Sequence, residues 1–342
     1  MGTSSAHREA SPGDFLRRQI EGYQATALIY AAVNLGLPDH MQDGDWNIDQ
    51  LAEDLDCPIQ GLHRVLRALT AIGICEQPNE DIYRLTQAGA LLSTDSSSPH
   101  RELVKIAVEQ YWNPWANLAD CVRSGQPAFE RLQGMSPWQW RSQHVAQGVD
   151  FNSWLAKETT LAAHSVLEAV DFSVVHRLAD IGGGSGGLVA KVLEVFPHLT
   201  GVLFDQPHVI DQARQALGSQ GLLGRVELSE GDFFRAIPVK ADLYLLKSIL
   251  HDWNDACCET ILRNCRSAMS PGSRLLVIER MLGSSPHTDS ETVMIDIRMM
   301  LITGGRERML FEYEQLLRKS GLKVSKIVPA RSGLSVIEAI PQ

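Results

Sequence analysis

From His176 to Leu282 short apolar runs alternate with helical ones, and that alternation limits the fold more than any other feature of the 342-residue chain. HRLADIG reads as a strand, 186–196 as a helix, GVLFD as a strand and HVIDQARQAL as a helix. RVELSEGD, ADLYLLKSIL and SRLLVIERML follow as strands, with a helix over 255–269 between the last two. Strands separated by helices pair in parallel through crossovers, so the order predicts an α/β fold with a doubly wound, mostly parallel sheet. The tail KVSKIVPARSGLSVIEAIP reads as two strands joined around Arg331-Ser332-Gly333, an antiparallel hairpin closing one edge. The working site of such a sheet lies at the C-terminal ends of its strands.

The first half is helical. Apolar positions recur at helical spacing from Asp14 to Leu37, and the alanine-rich face of 25–35 is apolar enough to seek a partner helix. Asn47 with Gln50 gives a capping-box-like start to a short helix carrying Leu51 and Leu55. A second helix runs Pro58–Ile72, followed by two short β-prone runs around Pro78-Asn79 and a short helix through Leu91 and Leu92. Helix, helix, hairpin is a winged-helix order. Residues 45–92 nonetheless carry three basic residues (Arg64, Arg67, Arg84) against eight acidic ones, and the whole chain carries −10. A DNA reader must neutralise phosphates, so a packing or dimerisation module is the expectation, with no nucleic-acid partner. No apolar run is long enough to span a bilayer. Cysteines 57, 75, 121, 257, 258 and 265 form no CxxC pair, which points to reduced thiols and a cytoplasmic protein, with no metal site. The expected organisation is a disordered lead-in over 1–13, the helical module over 14–100, connecting helices over 101–170 and the α/β domain over 171–342. The tryptophans of 100–170 (112, 115, 138, 140, 154) read as packing residues, with a role in lining a substrate pocket left open.

The first strand of the α/β domain ends ADIGGGSGG. Gly182, Gly184 and Gly187 match the GxGxxG of dinucleotide sites; Asp180, Gly182, Gly184 and Gly186 match the acidic-then-glycine turn of S-adenosylmethionine sites. The glycines alone do not choose. Asp180 would repel a pyrophosphate and attract a cofactor carrying an ammonium and a sulfonium. Asp205 ends the second strand where a carboxylate can take ribose hydroxyls, and Asp232 with Phe233 offers an acid and an aromatic edge for adenine. These favour S-adenosylmethionine over nicotinamide. LLKSILHDWND then delivers His251 at the end of an apolar run, where a buried strand has no use for it. It is either incidental or the working residue. Asp252 and Asn254 are equal candidates to cap the next helix, and Cys257 and Cys258 read as packing residues.

As a set, DIGGGSG, LFDQPHVI, GDFF, LLKSILHDW and GGRER resemble the class I S-adenosylmethionine-dependent O-methyltransferases of the plant caffeate type and their bacterial natural-product relatives. The resemblance covers nearly the whole chain. It implies a Rossmann-like methyltransferase sheet, an N-terminal winged-helix domain that dimerises, and a small aromatic substrate. It implies cofactor contacts from Gly182, Asp205, Asp232, Phe233 and Lys247, beside Asp180 and Gly184. It implies His251 as general base, flanked by Glu279 and Glu307, with Glu279 placed to fix the ring. The acceptor would meet Asp252, Trp112, Phe151, Leu155, Met299 and Met300, which suggest a flat, hydrophobic molecule. Leu155 stands where the family commonly has methionine, a departure that bears on the substrate and not on the reaction. The rival readings are N- or C-methylation, a divergent non-methylating member, an NAD-dependent dehydrogenase and a winged-helix regulator.

Overall fold

The computed structural model describes residues 11–330 and 333–342, and the chain divides into two compact units after Gln110. Most of the expected lead-in lies outside the described residues. Ser11, Pro12 and Gly13 differ from that expectation: Ser11 caps the helix Pro12–Asn34 through a reciprocal bond with Asp14, and Pro12 occupies the first turn where proline is tolerated. Gly36, at φ 72°, ends that helix and starts the short Leu37–His40 turn, so the run expected to Leu37 is two elements. The exposed apolar side chains are Phe15, Leu16, Ile20 and Tyr23, ahead of the alanine-rich face, where Ala32 and Val33 are buried.

In the rest of the first unit, β1 (Trp46–Asn47), β2 (Cys75–Asn79) and β3 (Ile82–Leu85) form a sheet in the order β1-β3-β2. The sequence showed only the hairpin; β1 is too short to carry a pattern. The turn falls at Glu80-Asp81 and not at Pro78-Asn79, because Gln77 closes it by donating to the Glu80 carbonyl and Pro78 is tolerated on an edge strand. Asn47 caps the helix Ile48–Asp54 by accepting from the Asp49 N–H, and the Gln50 half of the expected box does not form. The helix Ile59–Ala71 packs Leu62, Leu66 and Leu69, spaced three and four apart, into a core with Leu51 and Tyr83.

The second unit begins with a succession of helices ending in the long Val145–Ala169. Its sheet contains β4 (Arg177–Ile181), β5 (Thr200–Asp205), β6 (Val226–Glu230), β7 (Leu243–Lys247), β8 (Arg274–Arg280), β9 (Leu322–Pro329) and β10 (Leu334–Pro341), ordered β6-β5-β4-β7-β8-β10-β9. β6 to β8 pair in parallel, while β10 runs antiparallel to both β8 and β9. The hairpin is therefore as expected, with Arg331 and Ser332 of its turn outside the described residues. Side chains alternate between two cores. Leu178, Leu203, Leu245 and Ile278 face one; Ala179, Phe204, Leu246 and Val277 face the other. Burying such a leucine contributes about 2–3 kcal/mol, which is why strands covered on both faces read as nearly continuous apolar runs. The chain steps outward from β4 through β5 to β6 and then crosses back to β7 on the other side of β4, which places the switch point between the C-terminal ends of β4 and β7.

Candidate active site

Both strands at the switch point end in unusual backbone. After β4, Gly182, Gly184 and Gly186 all have left-handed φ (69°, 60° and 82°), a run that only glycine enters freely. The turn is tied to β5: Gly182 donates to the Phe204 carbonyl at 2.8 Å and Gly184 donates to Asp205 Oδ2 at 2.9 Å. A Cβ on Gly182 would meet Ile249 at 2.6 Å, whereas one on Gly184 would meet nothing within 4 Å, so the turn is open at Gly184. The Asp180 carboxylate lies beneath Gly183, its Oδ2 buried without a partner. Burial pushes Asp180 up to about 7 against the opposing pull of Lys247. Burial also raises Asp205, offset by the bonds it accepts from Gln206 and Gly184. Asp232 is exposed and accepts from the Phe234 N–H; Phe233, Phe234 and Trp253 pack edge to face.

β7 stops at Lys247, short of the run expected through Leu250. Ser248 takes φ 54°, a conformation costly to an L-residue, and Leu250–Asp252 form a single 3₁₀ turn. Glu279, late on β8, holds that turn: its Oε1 accepts from the Ile249 and Leu250 N–H groups at 3.0 and 2.7 Å. The segment 303–308 holds it from the other side. Arg306 N–H donates to the His251 carbonyl at 2.9 Å, and a Cβ on Gly305 would come within 2.0 Å of that oxygen. Arg308, fully buried, donates to the Leu250 and Trp253 carbonyls and to Asp255. Asn254, not Asp252, caps the following helix Asp255–Ala268.

His251 Nδ1 donates to Glu307 Oε1 at 2.8 Å, while the nearest Glu279 oxygen is 3.8 Å away. The direct partner of the ring is thus Glu307, and the sequence reading that gave Glu279 this place is corrected. The reason is positional: Glu279 spends one oxygen on the backbone of the turn, and Gly305 lets the segment carrying Glu307 approach closely. Burial would push His251 toward neutrality, but Glu279, Asp252 and Glu307 outweigh it and hold the imidazolium up to about 10. Glu279 itself is pushed up to about 7, chiefly by burial. Lys247 is lowered by burial and faces Glu279 and Asp180, linking the two turns electrostatically. His251, Glu279 and Glu307 bring ligand atoms within 4.8 Å of one another, compact enough for a cation as well as for a shared proton.

Asp252 is raised by burial and faces His251, Arg141, Glu307 and Arg298. Arg141 is buried with its guanidinium 3.4 Å from the centre of the Phe151 ring, and Phe151 packs against Trp138 and Trp154. Phe151 and Met299 are buried, and Leu155 and Met300 half-buried on the same two helices, Val145–Ala169 and Ser290–Ile302. Trp112 is the most open of the expected acceptor residues, at 36% exposure, on a helix that packs against Ser290–Ile302. Arg141, Arg298 and Arg308 went unmarked in the sequence reading. A signal was available for two of them: Arg141 is the lone charge of the aromatic stretch WQWR, and Arg298 shares the apolar stretch MIDIRMM with Asp296 alone.

A doubly wound sheet with a glycine turn, an acid ending the second strand and an acid-flanked histidine beyond the fourth defines a Rossmann-like methyltransferase. The chain belongs to the O-methyltransferase family. Residues 115–323 match the O-methyltransferase domain and residues 18–95 the O-methyltransferase dimerisation domain. The mitomycin biosynthesis 6-O-methyltransferase of Streptomyces lavendulae is 36% identical over 316 residues, covering 92% of this chain and 90% of that protein. The phenazine O-methyltransferase of Lysobacter antibioticus is 34% identical over 328 residues, covering 95% of each. Among solved structures, an O-methyltransferase from neocarzinostatin biosynthesis, in complex with S-adenosylmethionine and 2-hydroxy-5-methyl naphthoic acid, superposes with a TM-score of 0.81. It is 29% identical and covers 93% of this chain and 96% of that one. The protein is accordingly an S-adenosylmethionine-dependent methyltransferase with its own dimerisation domain. Among the described residues no helix is long and apolar enough to cross a membrane.

The residues at the switch point fit that cofactor. The open face of Gly184, the unpartnered Asp180 Oδ2 and the exposed Asp232 carboxylate suit a ligand that is positive at one end and offers hydroxyl and amino donors along its length.

Proposed function

We propose that the protein methylates a hydroxyl on an aromatic small molecule, with His251 moving the proton. S-adenosylmethionine supplies an electrophilic methyl group on a positively charged sulfur. The chain's own contribution is to hold that cofactor, through Asp180, Gly182, Gly184, Asp205, Asp232, Phe233 and Lys247, and to align an acceptor with it. The observation that carries the reading is the 2.8 Å bond from His251 Nδ1 to Glu307. It fixes the tautomer and leaves Nε2 for the acceptor oxygen. A phenol, at about 10, matches the imidazolium in acidity, so the proton can pass between oxygen and ring at little cost. Glu279 keeps the turn in place and shares the proton load of the site.

The protein works as a homodimer in this reading, since the exposed stripe of Phe15, Leu16, Ile20 and Tyr23 needs a cover and runs into the dimerisation domain matched over 18–95. All six cysteines are free thiols, which suits a cytoplasmic setting. The acceptor residues remain Asp252, Trp112, Phe151, Leu155, Met299 and Met300. The test is a screen of aromatic phenols and anilines with labelled S-adenosylmethionine, the methylated atom read by NMR. O-methyl products support the reading. Label found only on nitrogen or carbon would overturn it.

A further inference from the structure

Beside His251 lies a set of donors with too few acceptors. Arg298 stands with its guanidinium carbon 5.9 Å from the centre of the Trp154 ring. Arg298 Nε and Trp154 Nε1 are both buried without a hydrogen-bond partner. Each can only donate, so neither can satisfy the other, and each enclosed donor carries a standing penalty. Across from them Asp252 is the acid shared by Arg298, Arg141 and His251. Phe151 and Trp154, 5.6 Å apart, supply an aromatic surface between the cations.

We propose that the acceptor is an aromatic acid, and that Arg298, with Trp154 beside it and Arg141 across Asp252, receives a carboxylate on the molecule that carries the reacting hydroxyl. This rests on the methyl-acceptor reading above and narrows its substrate class. A carboxylate is acceptor-only, planar and paired in its oxygens, which matches a guanidinium and an indole N–H together, where a neutral carbonyl offers one oxygen and no charge to the guanidinium. Arg298 is a specificity residue in this account and takes no part in the transfer.

The experiment measures binding of hydroxybenzoic and hydroxynaphthoic acids, each beside its methyl ester, to the full-length protein loaded with S-adenosylhomocysteine. The acid is expected to bind at least tenfold tighter than its ester in the wild type. In Arg298→Gln that preference should fall to twofold or less, and Arg298→Lys should restore part of it. S-adenosylhomocysteine affinity within twofold of wild type shows each variant folded. Equal binding of acid and ester by the wild type overturns the proposal, as does an undiminished preference in folded Arg298→Gln. Methyl transfer is scored separately: an acid preference without O-methylation keeps the anion site and removes the acceptor reading.

Discussion

Glu307→Gln separates charge from geometry at His251, the proposed base. The amide oxygen can still accept from His251 Nδ1, so the ring stays placed while the full negative charge at 2.8 Å is gone. His251 stands at about 10 against its ordinary 6.5, a net shift equivalent to about 5 kcal/mol at 1.36 per pH unit. A unit charge at that distance with an effective dielectric near 20 accounts for about 6 kcal/mol at most. Glu279 and Asp252 supply much of the pull, so a fall of about 1–2 pH units is expected on losing Glu307 alone. The sign follows directly, because removing an anion makes the imidazolium easier to deprotonate. kcat/KM for a phenol acceptor reports the free protein and should rise with pH toward about 10 in the wild type. In the variant the rising limb should move down by about 1–2 units, and the plateau should drop roughly tenfold as the imidazolium formed during transfer loses its counter-charge. A pH–rate profile with a non-ionisable-analogue control, alongside an NMR titration of the His251 ring, gives both numbers. A limb that stays put, or moves to higher pH, refutes the coupling of His251 to Glu307.

Two further outcomes follow from the same geometry. Gly305→Ala would place a Cβ within 2.0 Å of the His251 carbonyl and displace the turn; kcat should fall at least tenfold while S-adenosylmethionine affinity changes little, as measured by steady-state kinetics and calorimetry. The His251, Glu279 and Glu307 cluster is assigned here to a proton, although its compactness would also admit a cation. Dialysis against a chelator should therefore leave methyl transfer unchanged, and a loss restored by one divalent metal would reassign the cluster.

Much of this arrangement was legible in the sequence. Most strands between His176 and Leu282 were readable because they are buried on both faces, so their apolar runs are bounded sharply by turn residues; β6, at the sheet edge, is only partly buried. ADIGGGSGG was readable because a left-handed run of backbone leaves glycine as the only comfortable residue. What escaped was set by long-range contacts. Nothing local marks Ser248 for φ 54°; it is forced there by the bonds from Ile249 and Leu250 to Glu279 on the neighbouring strand. Glu307 and Glu279 are alike as letters, and only the close approach at Gly305 decides which one meets the ring. β1 went unseen because two residues cannot carry a pattern, and the Asn47 box failed because Asp49, one residue earlier than Gln50, took the cap. Arg141 and Arg298 could have been noticed as charges stranded in aromatic and methionine-rich helices, but not their common orientation toward Asp252.

The central claim is that His251 carries the proton for transfer and does not hold the cofactor. His251→Gln, assayed with a phenol acceptor identified by screening, tests it most directly. The account predicts S-adenosylmethionine binding within about twofold of wild type and methyl transfer slowed by about 10²–10⁴-fold, the usual range for losing a positioned proton acceptor. Turnover within threefold of wild type at pH 10, where the wild-type ring is substantially deprotonated, would contradict it.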